Sequence, residues 1–231
     1  IIRNKADDSL AVLKVAAKSA QSDLHAEYQI LSTLRSPAFP QAISFFSDAH
    51  MDYLIRSYIA GCPVSYYVEK NGPFSESESI RLVLAVCRSL SLLHAQTPPV
   101  IHRDIKPQNV IFTSDRTLVL IDFDTVRHYQ IKQKKDTTFL GTATTAAPEQ
   151  YGYKQTDQRS DIYSTGILLL YLCTGSYELD ACASIHNRKL ARVIKTCTRF
   201  DPDRRYANIR QLQLHLEHAL SDTQRSARSF L

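Results

Sequence analysis

The 231-residue chain has no CxxC pair, and its cysteines (Cys62, Cys87, Cys173, Cys182 and Cys197) are odd in number. That spacing argues against a zinc site or a disulfide framework and for core thiols in a reducing compartment. No apolar run is long enough to span a bilayer; the longest near Gly166, from Ile167 to Cys173, falls far short. No signal peptide, targeting tail, internal repeat or low-complexity tract is visible. The net charge of +5 is mild, and no basic stripe is interleaved with aromatics, which argues against nucleic-acid binding. The one basic cluster, Lys132 to Lys135 broken by Gln133, reads as a solvated loop. Glycine is missing from residues 1–13, and the chain opens on Ile1-Ile2 without a Met, so a segment upstream is expected.

What is present is a globular composition, 44% hydrophobic and 22% charged. Leu10-Ala11-Val12-Leu13-Lys14-Val15 reads as a strand. From about Ser22 to Leu34, Leu24, Tyr28, Leu31 and Leu34 recur at helical steps. Tyr53 to Ile59 is a second strand, ended by Ala60-Gly61-Cys62-Pro63. Helices dominate thereafter. Ser75 and Glu78 form a capping box opening a helix with Ile80, Val83, Leu84, Cys87 and Leu90 on one face. Two short strands flank the loop from Thr113 to Arg116, and further helices are expected near Asp161–Cys173, Leu190–Thr198 and Ala207–Leu220.

The most informative segment is Val100-Ile101-His102-Arg103-Asp104-Ile105-Lys106-Pro107-Gln108-Asn109. An Asp there can take a hydroxyl proton, a Lys two residues on can neutralise a phosphate, and an Asn five residues on can hold a metal. Thirteen residues later, Asp122 follows the apolar run Leu118-Val119-Leu120-Ile121. Lys14 interrupts an apolar strand, where a bare ammonium is costly unless paired, and Glu27 on the next helix is the natural partner. Taken alone, Lys14 reads equally well as an edge-strand side chain snorkelling to solvent, with Glu27 on a wet helix face.

Together these motifs resemble the catalytic and magnesium-binding loops of Ser/Thr protein kinases, and the resemblance runs from Leu10 to Leu216. It implies an α+β, two-lobed protein kinase fold. Residues 1–60 would form an incomplete β-rich small lobe (three strands and one helix), and residues 61–231 a larger helical lobe with the catalytic and activation loops. It further implies MgATP as phosphoryl donor and protein Ser/Thr hydroxyls as acceptors. Asp104 would orient or deprotonate the hydroxyl, Lys106 contact the γ-phosphate, Thr142 bridge Asp104 and Lys106, and Asn109 and Asp122 hold Mg²⁺. Lys14, oriented by Glu27, would hold the α- and β-phosphates. Adenine would meet backbone groups of Ser57 and Ile59, with Val12 above and Ile111 below.

The resemblance also implies a buried ion pair between Glu149 of Ala147-Pro148-Glu149 and Arg205. Asp161 would bond the backbone near His102 and Arg103, although a carboxylate at that place also reads as a helix cap. Thr137 or Thr138 would accept an autophosphorylation that Arg103 receives, or else they are ordinary loop threonines. Pro98-Pro99-Val100-Ile101-His102-Arg103-Asp104 and Thr145-Ala146-Ala147-Pro148-Glu149-Gln150-Tyr151 look like bacterial members. The expected setting is cytoplasmic, as a free domain or the cytoplasmic part of a membrane-anchored protein, with no membrane contact from this segment.

Three departures stand out. No glycine-rich phosphate loop precedes Lys14. Asp124 replaces the last glycine of Asp-Phe-Gly, and is expected either to attract a second cation or to point outward. Arg56 stands behind the adenine pocket in place of an uncharged residue; it is expected to snorkel out of the lobe, with Glu27 or Asp122 as acceptors otherwise. Pro63 offers no carboxylate for the ribose. The first two departures raise an alternative, a pseudokinase or nucleotide-binding interaction module with little or no transfer.

Overall fold

The computed structural model describes residues 1–18, 23–128, 144–152 and 156–228. Its first part is an antiparallel sheet in the order β1 (Ile2–Arg3), β2 (Leu10–Ala17), β4 (Met51–Ser57), β3 (Ala42–Ser47). The β2–β4 register sets Lys14 opposite Leu54 and Val12 opposite Arg56. Helix α1 (Leu24–Thr33) crosses this sheet. Asp23 caps it, its side chain accepting from the Ala26 N–H at 2.9 Å. The buried stripe of α1 is Leu24, Glu27, Ile30 and Leu31, so a carboxylate occupies a place where the helical period calls for an apolar side chain.

Residues Gly61–Pro63, expected to act only as a strand terminator, form a strand of their own, β5, which pairs with β7 (Val110–Thr113). β7 in turn pairs with β8 (Leu118–Leu120), while β6 (Val100–Ile101) pairs with β9 (Arg127–His128). These short strand pairs flank residues 102–109 and 121–126 on a helical base. Helix α2 (Val64–Asn71) begins directly after Pro63. Helix α3 (Glu76–His94) starts at the expected box: the Glu78 N–H donates to Ser75 Oγ at 3.3 Å, and the Ser75 hydroxyl donates to Glu78 Oε2 at 2.7 Å.

Helix α4 (Gln158–Thr174) is buried on nearly every side, which explains why its sequence is apolar all round. It packs against α3 and against α5 (Arg188–Cys197); α6 (Ile209–Arg228) lies on α3 and α5. At Gly166 the approach of α4 to α5 leaves no room for a side chain, since a Cβ there would fall 2.4 Å from Cys197 Cβ. The cysteines are free thiols, with Cys87, Cys182 and Cys197 fully buried, as expected for core packing. Among the described residues no helix is long and apolar enough to cross a membrane. The molecule is α+β, a small antiparallel sheet with its helix on a larger helical body.

Candidate functional site

Lys14 sits midway along β2 and its ammonium meets three carboxylates. Glu27 Oε2 accepts at 2.7 Å and Asp122 Oδ1 at 3.1 Å, and Asp124 Oδ1 is the third partner. These groups lie far apart in sequence, so the pairing is a product of the fold. Burial alone would lower the Lys14 pKa, but the three carboxylates outweigh it and raise the value. Burial pushes Glu27 up to about 7 despite the attraction of Lys14. Burial likewise opposes ionisation of Asp122, yet Lys14 holds its carboxyl below the ordinary range.

Asp104 forms a second cluster. Its Oδ2 receives Lys106 Nζ at 2.6 Å and the Asn109 side-chain amide at 2.8 Å; the same amide donates to the Asp104 carbonyl at 3.0 Å. A 3-10 turn at Pro107–Asn109 brings the Asn back towards the Asp. The two clusters are tied together by the backbone, because the Ile121 N–H donates to the Asn109 carbonyl at 2.9 Å. Phe123, next to Asp122, packs its ring against His102 and Phe39, with centroids 5.1 and 5.8 Å away.

Asp161 holds the loop from below. Its carboxylate accepts from the N–H of His102 at 3.0 Å and of Arg103 at 2.8 Å, and it contacts His94 Nε2 at 2.8 Å. Burial opposes its ionisation, but the His94 bond, the nearby imidazoles and the backbone donors together depress its pKa. The cap of α4 is Asp157 instead, accepting from the Arg159 N–H. Glu149 and Arg205 form the expected pair, bidentate at 2.7 and 2.8 Å. Ser160 Oγ donates to Glu149 at 2.7 Å, and Arg205 also donates to the carbonyls of Arg159, Arg199 and Phe200.

Sequence reasoning missed Gln150, whose fully buried amide donates to the Arg103 carbonyl at 2.8 Å and accepts from the Ala147 N–H at 3.1 Å. It also missed Thr125, whose hydroxyl donates to the His102 carbonyl at 3.0 Å. Nothing in a Gln beside a Glu, or a Thr in a loop, signals these bonds in advance.

Two expectations are corrected. Arg56 does not snorkel outward: it is buried on the β4 face that also buries Leu54, and its Nε lies 3.9 Å from Glu27 Oε1. Strand alternation aims the side chain inward, and the buried carboxylate gives it a counter-charge. Asp124 does not point outward: its carboxylate faces Lys14. The residue of the triplet with left-handed backbone is Asp122, at φ +69°, whereas Asp124 is not among the positive-φ residues, so the missing glycine costs the turn no strain.

Of the adenine-side residues, Val12 and Ile111 lie on β2 and β7. The Ser57 N–H donates to the Gln41 carbonyl and Ser57 Oγ accepts from the Gln41 N–H, both at 2.9 Å, which narrows Ser57's part towards a ligand to its carbonyl. Ile59, with Ser57, borders a cavity of about 750 Å³ that reaches Phe39 and Arg35. Thr142, Thr137 and Thr138 lie outside the described residues.

The oxygens of Asp122 and Asn109 suit a hard divalent ion. Among the described residues no group of three or more His, Cys, Asp or Glu is placed to hold a metal by itself. That donor set fits Mg²⁺, which usually takes one or two protein carboxylates and completes its shell with phosphate and water.

A protein kinase domain family model matches residues 1–229 of the chain. Serine/threonine-protein kinase B of Synechocystis sp. is 39% identical over 150 residues, 60% of this chain and 25% of that protein. The probable LRR receptor-like serine/threonine-protein kinase RPK1 of Arabidopsis thaliana is 30% identical over 178 residues, 75% of this chain and 33% of its own length. The probable serine/threonine-protein kinase PknB of Lactococcus lactis is 28% identical over 134 residues, 58% and 21% respectively. The chain thus spans a third or less of each of these relatives.

Proposed function

The chain belongs to the protein kinase domain family, and we propose that it transfers the γ-phosphoryl group of MgATP to Ser or Thr hydroxyls of proteins. The observation that carries this reading is the convergence on one ammonium: Lys14, Glu27 and Asp122, distant in sequence, come within 3.1 Å. That convergence lies one backbone hydrogen bond from the Asp104–Lys106–Asn109 cluster.

In this reading residues 1–60 form the small lobe and 61–231 the large one. Adenine lies between Val12 and Ile111, with the Ser57 carbonyl and the Ile59 backbone at its edge. Glu27 fixes Lys14 against the α- and β-phosphates. Asn109 and Asp122 hold Mg²⁺, which when bound neutralises charge on the phosphate oxygens. Asp104 accepts a hydrogen bond from the substrate hydroxyl and takes its proton as the bond to phosphorus forms. Lys106, 2.6 Å from Asp104, steadies the transferring group and limits the charge that builds at the carboxylate. Phosphoryl transfer depends chiefly on such positioning and on charge stabilisation.

Thr142 is assigned the bridge between Asp104 and Lys106, and Thr137 or Thr138 an autophosphorylation site read by Arg103. The domain works in the cytoplasm, free or as part of a larger anchored protein, without contact to nucleic acid. The non-transferring alternative draws no support from the relatives above, all of which carry kinase names. The test is transfer of labelled γ-phosphate from MgATP to casein or a Ser/Thr peptide library. Asp104→Asn should reduce it by about 10²–10⁴-fold while leaving the folding transition intact. Equal transfer by both proteins, or none by either with nucleotide bound, overturns the reading.

A further inference from the structure

Lys14 carries three N–H donors and the structure gives it three carboxylate partners: Glu27, Asp122 and Asp124. An incoming phosphate oxygen therefore gains this ammonium only by displacing one of them. The three are not equally displaceable. Glu27 has no side-chain exposure, so releasing it would strand a buried carboxylate. Asp122 is the carboxylate assigned to Mg²⁺. Asp124 is 39% exposed on its side chain, can pass to water at little cost, and occupies a backbone position free of left-handed strain.

We propose that Asp124 is an internal competitor for the nucleotide: it occupies Lys14 in the empty cleft and is displaced by the triphosphate, which sets a lower affinity for phosphate-bearing ligands than the same cleft would have without it. The inference rests on the nucleotide-binding reading of the site. A binding-competent form populated only when Asp124 has let go reduces the apparent affinity by the fraction of molecules in that form. The penalty falls only on ligands that need Lys14. Adenosine has no phosphate and does not contend with Asp124 at all, so nucleoside and nucleotide separate this role from a general effect on folding or on lobe geometry.

The experiment is calorimetric titration of the wild-type chain and Asp124→Asn with MgATP, with ATP in EDTA, and with adenosine. The substitution keeps shape and removes charge at a half-exposed position, so folding should survive; a thermal melt of each protein checks this. Asp124→Asn should bind ATP about tenfold more tightly with or without Mg²⁺, the scale of one hydrogen-bonded charge pair near a surface, and adenosine equally well. Unchanged ATP affinity, or a parallel gain for adenosine, overturns the proposal. So does weaker binding of MgATP alone, which would make Asp124 a ligand to the cation. A cooperatively melting wild type and variant that both ignore ATP and adenosine would instead remove the nucleotide-site reading, and this inference with it.

Discussion

Asp161→Asn is the sharpest test of how the structure holds its catalytic loop. The carboxylate takes two backbone N–H groups, His102 at 3.0 Å and Arg103 at 2.8 Å, besides the contact with His94 at 2.8 Å. An amide keeps one oxygen. If that oxygen replaces Oδ2, it still serves His102 and His94, but an NH₂ then faces the Arg103 N–H, donor against donor. Stranding one buried donor costs about 1–3 kcal/mol, and bonds to a charged acceptor are worth about 1.5–3 kcal/mol each. Together these bracket the loss of about 3–5 kcal/mol found on removing one member of a buried charged network. For a chain of this length that is a fall in Tm of about 6–20 °C.

The catalytic consequence follows from the backbone. Arg103 is held at φ +69°, a left-handed conformation costing about 1–2 kcal/mol in a residue with a Cβ. Asp161 and Gln150 hold it there, one on its N–H and one on its carbonyl. Release of the N–H lets Arg103 relax and carries the adjacent Asp104 with it. A displacement near 1 Å costs about 10²-fold, so kcat should fall by about that much with KM for MgATP little changed. Urea and thermal unfolding with steady-state transfer measure both effects. Asp157→Ala on the same helix is the control, costing about 1 kcal/mol as a lost cap without touching kcat. An Asp161→Asn protein within about 1 kcal/mol of wild type and equally active would refute this account of the loop.

Arg205→Met leaves the Glu149 carboxylate buried with only the Ser160 hydroxyl of its present side-chain partners; it should cost about 3–5 kcal/mol in urea unfolding, and adding Glu149→Gln should recover part of that loss, whereas additive losses would argue against the pair as a unit. Burial holds the His102 imidazole below its ordinary value of 6.5, so below that pH the unfolded chain binds more protons than the folded one and stability falls as pH drops. The fall is at most about 1.4 kcal/mol per pH unit, and urea midpoints at about pH 7.5 and 5.5 should differ less in His102→Phe than in wild type; equal differences would exclude the titration. Gly166→Ala puts a Cβ 2.4 Å from that of Cys197 and should destabilise by about 1–3 kcal/mol through forced separation of α4 and α5, read as a lower Tm; an unshifted melt would show that the helices yield freely.

A charged side chain in an apolar frame was legible in part: Lys14 inside a β-branched run suited a buried pair or a snorkelling edge residue equally well, and the resemblance to protein kinases decided for Glu27, as it alone supplied the Glu149–Arg205 pair. Segments without that contrast stayed hidden. β3 escaped notice because a bulge between Ala42 and Ser44 breaks its alternation and both Ile43 and Phe46 face solvent. α2 follows Pro63 directly and carries two Tyr and two Val, poor helix formers, so tertiary packing of Val64 and Val68 decides its conformation. Direction was the other hidden quantity. That Arg56 turns inward depends on which face of β4 meets α1, and this is set by pairing across the sheet.

The two departures from the family pattern in the cleft act on the same pair of residues. Arg56 approaches Glu27 from β4, while Asp124 approaches Lys14 from the loop after β8. Their effects on Glu27 are opposite: the negative charge of Asp124 pushes its pKa up, and the guanidinium of Arg56 pulls it down. With both present, Lys14 and Arg56 face Glu27, Asp122 and Asp124, a formal charge of −1; with neither, Lys14 faces Glu27 and Asp122, again −1. An extra cation and an extra anion have entered one network without changing its sum. Arg56 also supplies Glu27 with a second positive neighbour when Lys14 is drawn towards Asp124. A chain with Arg56 alone would leave the cluster without its net negative charge, and a chain with Asp124 alone would set three carboxylates, the fully buried Glu27 among them, against a single cation. Residues 56 and 124 therefore offset one another in charge, although they sit on different elements and act through Glu27 and Lys14.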